Sequence, residues 1–81
     1  MSDTNVTQEL SFGQKAVGLT FNPGGHEKVN AIKQKFAEAI DLLNQYRSET
    51  ENGEVKRQLS VAITESQTAQ MWAVKAITWQ Y

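Results

Sequence analysis

Apolar residues recur along two long segments at the spacing of an α-helix. In the first, from about residue 23 to 47, they fall at three- and four-residue steps on one face: Val29, Ile32, Phe36, Ile40 and Leu43. In the second, from about 54 to 79, one stripe follows the same rule: Val55, Leu59, Ala62 or Ile63, Ser66, Ala69 or Gln70, Ala73 and Ile77. The short polar turn SETENG at 48–53 separates them, so the helices should return antiparallel. The pattern predicts an all-α fold, an antiparallel helical hairpin.

The pair Asn22-Pro23 marks the start of the first helix. Asn is a good N-cap, and Pro fits the first helical position because its missing N–H would have no partner there. Gly24-Gly25 disfavours helix, so the firm helix can begin as late as His26.

A short arm precedes the hairpin. Residues 10–21 carry two glycines and scattered apolar residues, which predicts an extended or short helical segment, and the polar residues 1–9 predict a frayed end. We therefore expect a flexible N-terminal segment at 1–12 and a single helical-hairpin domain at 13–81.

A second apolar stripe on the second helix has no partner in a hairpin: Val61, Met71, Trp72 and Val74. After Glu65 the only charged residue is Lys75, and soluble monomers rarely expose so large an apolar patch. We expect this half of the helix to be buried against other copies of the chain. The alternative is that the N-terminal arm folds back over it, and both arrangements can hold together. The expected oligomer interface is formed by Ala69, Trp72, Ala73, Ala76 and Trp79.

Length and composition favour association. The chain has 81 residues, enough for one domain that is marginal alone. Cysteine is absent and His26 is the only histidine, so neither a disulfide nor a metal cluster is available to stabilise it. We predict no metal and no cofactor.

Charge excludes further classes of function. The net charge is −1, which gives no steering toward duplex DNA, although a local basic pocket for a small anion remains open. The first ten residues lack a secretory signal, and no apolar stretch approaches the ~20 residues needed to span a bilayer. The sequence predicts a soluble cytoplasmic protein that binds neither DNA nor membranes.

No catalytic constellation stands out, so we predict a binding protein and not an enzyme. His26 lies far in sequence from the serines, and Glu49 and Glu51 are turn carboxylates. The loop at 22–25 either presents N–H groups to an anion or is an ordinary helix start. From the helical pattern alone, Lys33 is expected to be a solvated surface lysine. Arg57 does not complement the dipole at a helix N-terminus, and its fork suits phosphate.

Three segments resemble one known family: GQKAVGLTFNPGG before the first helix, NAIK at 30–33, and RQLSVAITESQTAQMWAVKAITW at 57–79. Together, over about residues 13–79, they are similar to the type II phage anti-CBASS proteins, cyclic-oligonucleotide sponges that share a hairpin domain with a phage anti-Thoeris sponge. The resemblance implies a compact homohexamer of hairpins that acts in the cytoplasm of the infected bacterial host. It also implies binding of cyclic dinucleotides such as cyclic GMP-AMP between subunits, and of cyclic trinucleotides in separate pockets, without cleavage.

The resemblance assigns roles to a few residues. The family's dinucleotide-contacting lysine falls on Lys33, and its trinucleotide-linked arginine falls on Arg57. The family's stacking tyrosine has no counterpart, and Phe21 is the nearest aromatic, so we place Phe21, Asn22 and Pro23 in the dinucleotide site with Lys33. The competing hypothesis is a small helical adaptor or inhibitor that acts by protein–protein contact.

Overall fold

The computed structural model describes residues 9–81, which form three helices and no strand. The helices are α1 (Phe12–Ala16), α2 (Glu27–Glu49) and α3 (Gly53–Ile77). The predicted all-α fold and its antiparallel hairpin are confirmed, with α2 and α3 as the two arms. Phe12, placed by the sequence in the flexible segment 1–12, already begins α1; residues 1–8 of that segment lie outside the described residues.

The start of α2 differs from the prediction. Gly24 and Gly25 have positive φ angles of 85° and 61°, a left-handed conformation that an α-helix cannot contain. The helix therefore begins at Glu27, after the N-cap His26, whose Nδ1 accepts from the N–H of Lys28 at 3.2 Å. The expected N-cap, Asn22, instead braces the loop: its side chain donates to the carbonyl of His26 and accepts from the His26 N–H.

The turn between the long helices is stabilised by a helix cap and by a hydrogen bond between α2 and α3. The Asn52 side chain accepts from the N–H groups of Glu54 and Val55 and so begins α3. Arg47 near the end of α2 donates to the Ser60 hydroxyl at 2.9 Å. A short turn with both ends fixed makes α3 run back along α2.

The core is small and lies between α2, α3 and the end of the arm. Its centre is Ile40, which is fully buried, with Val17, Ala37 and Ile63 around it. The buried positions of α3 are Ile63 and Gln70, so of the alternatives in the predicted stripe these two face the hairpin partner.

The arm packs against α2 through a backbone contact and a carboxylate. Asp41 accepts hydrogen bonds from the Ser11 hydroxyl at 2.7 Å and from the Gly13 N–H at 2.6 Å. A Cβ at Gly13 would lie 2.1 Å from the carbonyl oxygen of Ala37, so only glycine permits this approach. The arm also contacts α3, through a hydrogen bond from Gln67 Nε2 to the Ala16 carbonyl and through Val17 in the core that contains Ile63.

The apolar half of α3 therefore stays open in the single chain. Met71, Trp72 and Trp79 are 60%, 65% and 58% exposed. No part of residues 9–81 buries these three side chains, so the alternative of an arm folded over this face is wrong for the described residues. The chain is also thin, at 12 Å along its shortest axis, with a radius of gyration of 14.8 Å against about 12 Å for a compact domain of this length.

No helix within residues 9–81 has both the length and the apolar character to cross a bilayer.

Candidate functional site

An open cleft of about 400 Å³ lies at the end of the hairpin where α2 begins and α3 ends. Three segments contribute its lining: the loop before α2, the first turns of α2, and the end of α3. The lining residues are Phe21, Asn22, Pro23, His26, Val29, Lys33, Val74, Ile77, Thr78, Trp79 and Gln80. The four residues that the sequence analysis grouped as a dinucleotide site, Lys33, Phe21, Asn22 and Pro23, thus line one cavity.

Lys33 is not a solvated surface lysine as the helical pattern alone predicts, because it is only 5% exposed. Its Nζ donates to the carbonyl of Gly18 at 3.0 Å and to the carbonyl of Phe21, and it lies 5.5 Å from the centroid of the Phe21 ring. An ammonium carries three N–H donors, and two of them are engaged in these bonds. Lys33 therefore holds the loop that forms one wall of the cleft and contributes a positive charge to its lining.

The loop wall is shaped by two turns. Gly18 has φ 61°, and its carbonyl accepts from the Phe21 N–H at 2.9 Å. The carbonyl of Asn22 accepts from the Gly25 N–H at 2.9 Å. Between these turns Phe21 projects with 73% of its surface exposed, so an aromatic ring is available beside the lysine charge.

The opposite wall comes from the end of α3, which the sequence analysis did not assign to the site. Val74, Ile77, Thr78 and Gln80 line it, and so does Trp79, which was placed in the oligomer interface. The predicted antiparallel hairpin could have indicated that residues at the end of α3 line the site, since it brings that end beside the start of α2. The position of Trp79 could not be predicted from the helical pattern, because α3 ends at Ile77 with Thr78 as C-cap and the pattern does not extend to Trp79.

Arg57 lies at the other end of the hairpin. The rise of an α-helix puts it about 30 Å from Ile77 along α3. Its guanidinium donates two hydrogen bonds to the Glu54 carboxylate, at 2.9 and 2.6 Å. The resemblance implies different pockets for Lys33 and Arg57, and the two residues lie far apart in the structure.

The Arg57–Glu54 pair changes the ionisation of both groups. The Arg57 guanidinium, with a smaller contribution from Gln58, lowers the pKa of Glu54 from its ordinary 4.5 to about 2. The same contact raises the pKa of Arg57. Both side chains are more than half exposed, so the pair is a surface feature whose arginine can exchange partners.

The chemistry available in the cleft is that of a binding site. Its lining supplies the buried Lys33 cation, the His26 imidazole, amide and hydroxyl groups, the Phe21 and Trp79 rings, and apolar side chains. Within the described residues, no group of His, Asp and Glu side chains is arranged to hold a metal ion.

One family model, described as the Acb2/Tad1 hairpin domain, matches residues 14–78, which is most of the chain. The chain belongs to the Acb2/Tad1 hairpin-domain family. This confirms the resemblance to the anti-CBASS and anti-Thoeris sponges. Membership implies a cyclic-oligonucleotide sponge role in phage anti-defence, in a family that binds its ligands and does not cleave them. No curated protein and no solved structure matches the chain significantly.

Proposed function

We propose that this Acb2/Tad1 hairpin protein sequesters cyclic oligonucleotides, above all cyclic dinucleotides such as cyclic GMP-AMP. It holds them uncleaved in the Lys33 cleft, in the cytoplasm of the infected host, and so blocks the activation of CBASS effectors. The observation that carries the proposal is that Lys33, Phe21, Asn22 and Pro23, scattered over a loop and a helix, line one cavity.

The cleft suits a ligand that combines phosphates with flat bases. Lys33 supplies a cation with an N–H left for a phosphate oxygen after its two loop carbonyls. Aromatic rings supply stacking planes, each worth about 1–3 kcal/mol per base. The volume of about 400 Å³ falls in the usual range for ligand pockets, about 300–1,000 Å³. Because the cleft is open, a second copy related by a two-fold axis would close it and present Lys33 twice to a ligand with two phosphates.

The protein acts as a closed homo-oligomer, with a hexamer as the expected state. Support comes from the exposed apolar face of α3, where Ala69 and Ala76 let another helix approach closely and Trp72 supplies buried area. Trp79, also in the predicted interface, lines the cleft that a second copy would close. Ala73, which completes the predicted interface, is half-buried in the single chain. A chain 12 Å thick has no second layer of its own to cover this face.

Arg57 is proposed for a separate cyclic trinucleotide pocket. It is exposed and presents a planar fork that matches phosphate. Binding there would require the phosphate to replace Glu54 as the partner of the guanidinium. A pocket of this kind would be independent of the Lys33 cleft, because the two residues lie at opposite ends of the hairpin.

Native mass spectrometry of the purified protein, alone and with cyclic GMP-AMP or cyclic tri-adenylate, tests the proposal. We expect one oligomer that gains intact nucleotides in small fixed numbers. Lys33→Met should lose the dinucleotide and keep the trinucleotide, and Arg57→Ala should do the reverse; equal loss of both ligands in either variant would contradict separate sites.

The second candidate is a helical adaptor or inhibitor that acts by protein–protein contact. The exposed Met71 and Trp72 favour it, because a partner helix could dock there. A monomer that gains no nucleotide mass would support this candidate, and a partner protein would then be sought by affinity capture.

A further inference from the structure

The cleft has one wall whose role the sequence did not indicate. Trp79 follows the C-cap Thr78 and lines the cavity with Phe21 and Lys33. Its backbone N–H donates to the Ala76 carbonyl at 3.3 Å, so the chain tightens at the helix end and carries the indole out of the α-helical register. Trp79 therefore lines the cavity because of its position after the end of α3, and it is not part of the apolar stripe of that helix.

Two side chains lie against the indole of Trp79. Lys75 Nζ lies 5.5 Å from the ring centroid, and the Tyr81 ring packs against it at 5.4 Å in an edge-to-face arrangement. It is nevertheless 58% exposed. A flat ring that lines the cleft and is more than half exposed is suited to stacking on a ligand base.

Trp72 provides the internal comparison. It is 65% exposed and lies 4.9 Å from the same Lys75 Nζ, measured to its ring centroid. It does not line the cleft of Lys33. The two tryptophans thus share exposure and a cation partner, and differ in access to the cavity.

We propose that Trp79 is a base-stacking residue of the cleft, taking one flat base of the bound cyclic oligonucleotide across from Phe21. The inference rests on the proposed function and adds to it the residue that supplies a second aromatic plane. Phe21 lies beside Lys33 on the loop wall, and Trp79 forms the α3 wall, so two bases can each meet a ring while a phosphate meets the lysine. Lys75, against the indole, places further positive charge behind that wall.

The test is a matched pair of variants, Trp79→Leu and Tyr46→Leu, titrated with cyclic GMP-AMP by calorimetry; Tyr46 is an exposed aromatic residue of α2 that lies outside the cleft lining and the predicted interface. Leucine keeps apolar bulk and removes the flat ring. We expect Trp79→Leu to raise Kd by about ten-fold or more, the order expected for one lost base–aromatic stack, and Tyr46→Leu to leave it within about two-fold. Native mass spectrometry of both variants controls for changes in assembly.

Fluorescence gives a second measurement that keeps Trp79 in place. The chain has two tryptophans, so Trp72→Phe leaves Trp79 as the one indole that emits. We expect cyclic GMP-AMP to quench this emission with the calorimetric Kd, and to leave the Trp72 emission of Trp79→Phe unchanged. If a leucine variant alters the oligomer, this fluorescence measurement still tests whether the ligand contacts Trp79.

The outcomes separate the inference from the function it rests on. If the wild-type protein binds cyclic GMP-AMP and the Trp79 emission of Trp72→Phe stays unchanged on adding it, the role of Trp79 is overturned and the sponge function stands. Wild-type protein that gives no heat with cyclic GMP-AMP or cyclic tri-adenylate overturns both.

Discussion

At the scale of single residues, Lys33 combines a structural and a charge role. Burial of a lysine is tolerated only when its ammonium is paired or hydrogen-bonded, and here two backbone carbonyls of the loop provide the bonds. The loop carries Phe21, Asn22 and Pro23 into the cleft. A change at Lys33 is therefore expected to affect both the fold of the site and its affinity for an anion.

Lys33→Met should lower stability as well as nucleotide binding. Methionine keeps the aliphatic length and loses both hydrogen bonds. The Phe21 and Gly18 carbonyls then lose the lysine donor, although the Gly18 carbonyl keeps its bond from the Phe21 N–H, and we expect a cost of about 1–3 kcal/mol. Thermal denaturation followed by circular dichroism, at one protein concentration, should show a melting point several degrees lower. Lys35→Met is the control, since Lys35 is 77% exposed with only a long ion pair to Glu38; equal melting points for the two variants would refute the bracing role.

The Glu54 carboxylate provides a pH-dependent prediction. Because its folded pKa, about 2, lies below the ordinary 4.5, its contribution to stability is present above pH 4.5 and is lost as the pH falls toward 2. A carbon-13 carboxyl titration should find Glu54 near 2 in the wild type and closer to 4.5 in Arg57→Ala. Lys56→Ala removes the neighbouring exposed cation and should leave the low value unchanged; a similar rise in both variants would assign the shift to general charge.

At the scale of elements, the arm is positioned by the absence of a side chain. The backbone of α1 approaches α2 at Gly13 so closely that a Cβ would overlap the Ala37 carbonyl. The carboxylate of Asp41 then fixes the first turn of α1. This contact brings Val17 into the core beside Ile40, and it sets where the following loop begins.

Gly13→Ala should detach α1 from α2. The overlap involves backbone atoms that cannot rotate away, so we expect a loss of about 1–3 kcal/mol and faster hydrogen exchange at residues 12–19. Gly53→Ala is the matched control, because it adds the same methyl in the first turn of α3 with nothing within 4 Å. The control should keep or slightly raise stability, and slow exchange in the Gly13 variant would show that the arm tolerates the methyl.

At the scale of the whole molecule, the single chain buries little apolar surface. Its buried hydrophobic residues within 9–81 are Val17, Val29, Ala37, Ile40 and Ile63, while the rings of Trp72, Trp79 and Tyr81 are mostly exposed. A core of this size is marginal for an isolated domain. Association of copies through α3 would bury the exposed face and stabilise the hairpin by mass action.

Ala76→Glu should disrupt the assembly without disturbing the hairpin. Ala76 is exposed in the single chain, so the carboxylate costs little there, whereas in an interface it would be a buried, unpaired charge that costs several kcal/mol. Size-exclusion chromatography with light scattering should show a smaller particle. Gln34→Glu, exposed on α2, adds the same charge as a control; a native-sized oligomer from Ala76→Glu would place the interface elsewhere.

The sequence by itself determined the all-α hairpin, its turn and the family. These follow from local signals, namely the period of Val29, Phe36 and Ile40, the polar turn at 48–53, and the matched run at 57–79. It also selected Lys33 and Phe21 for one site, through the resemblance to the sponges. The start of α2 was within reach too, because Gly24-Gly25 already pointed to His26.

Only the tertiary structure decided what those residues do to one another. The burial of Lys33 depends on hydrogen bonds to carbonyls twelve and fifteen residues away. The position of α1 depends on contacts of Gly13 with Ala37 and Asp41, which are distant in the chain. Trp79 joins the cleft because an antiparallel partner and a helix end coincide there. Hydrophobic periodicity records which face of a helix is apolar, but it carries no information on which distant backbone or side chain that face meets.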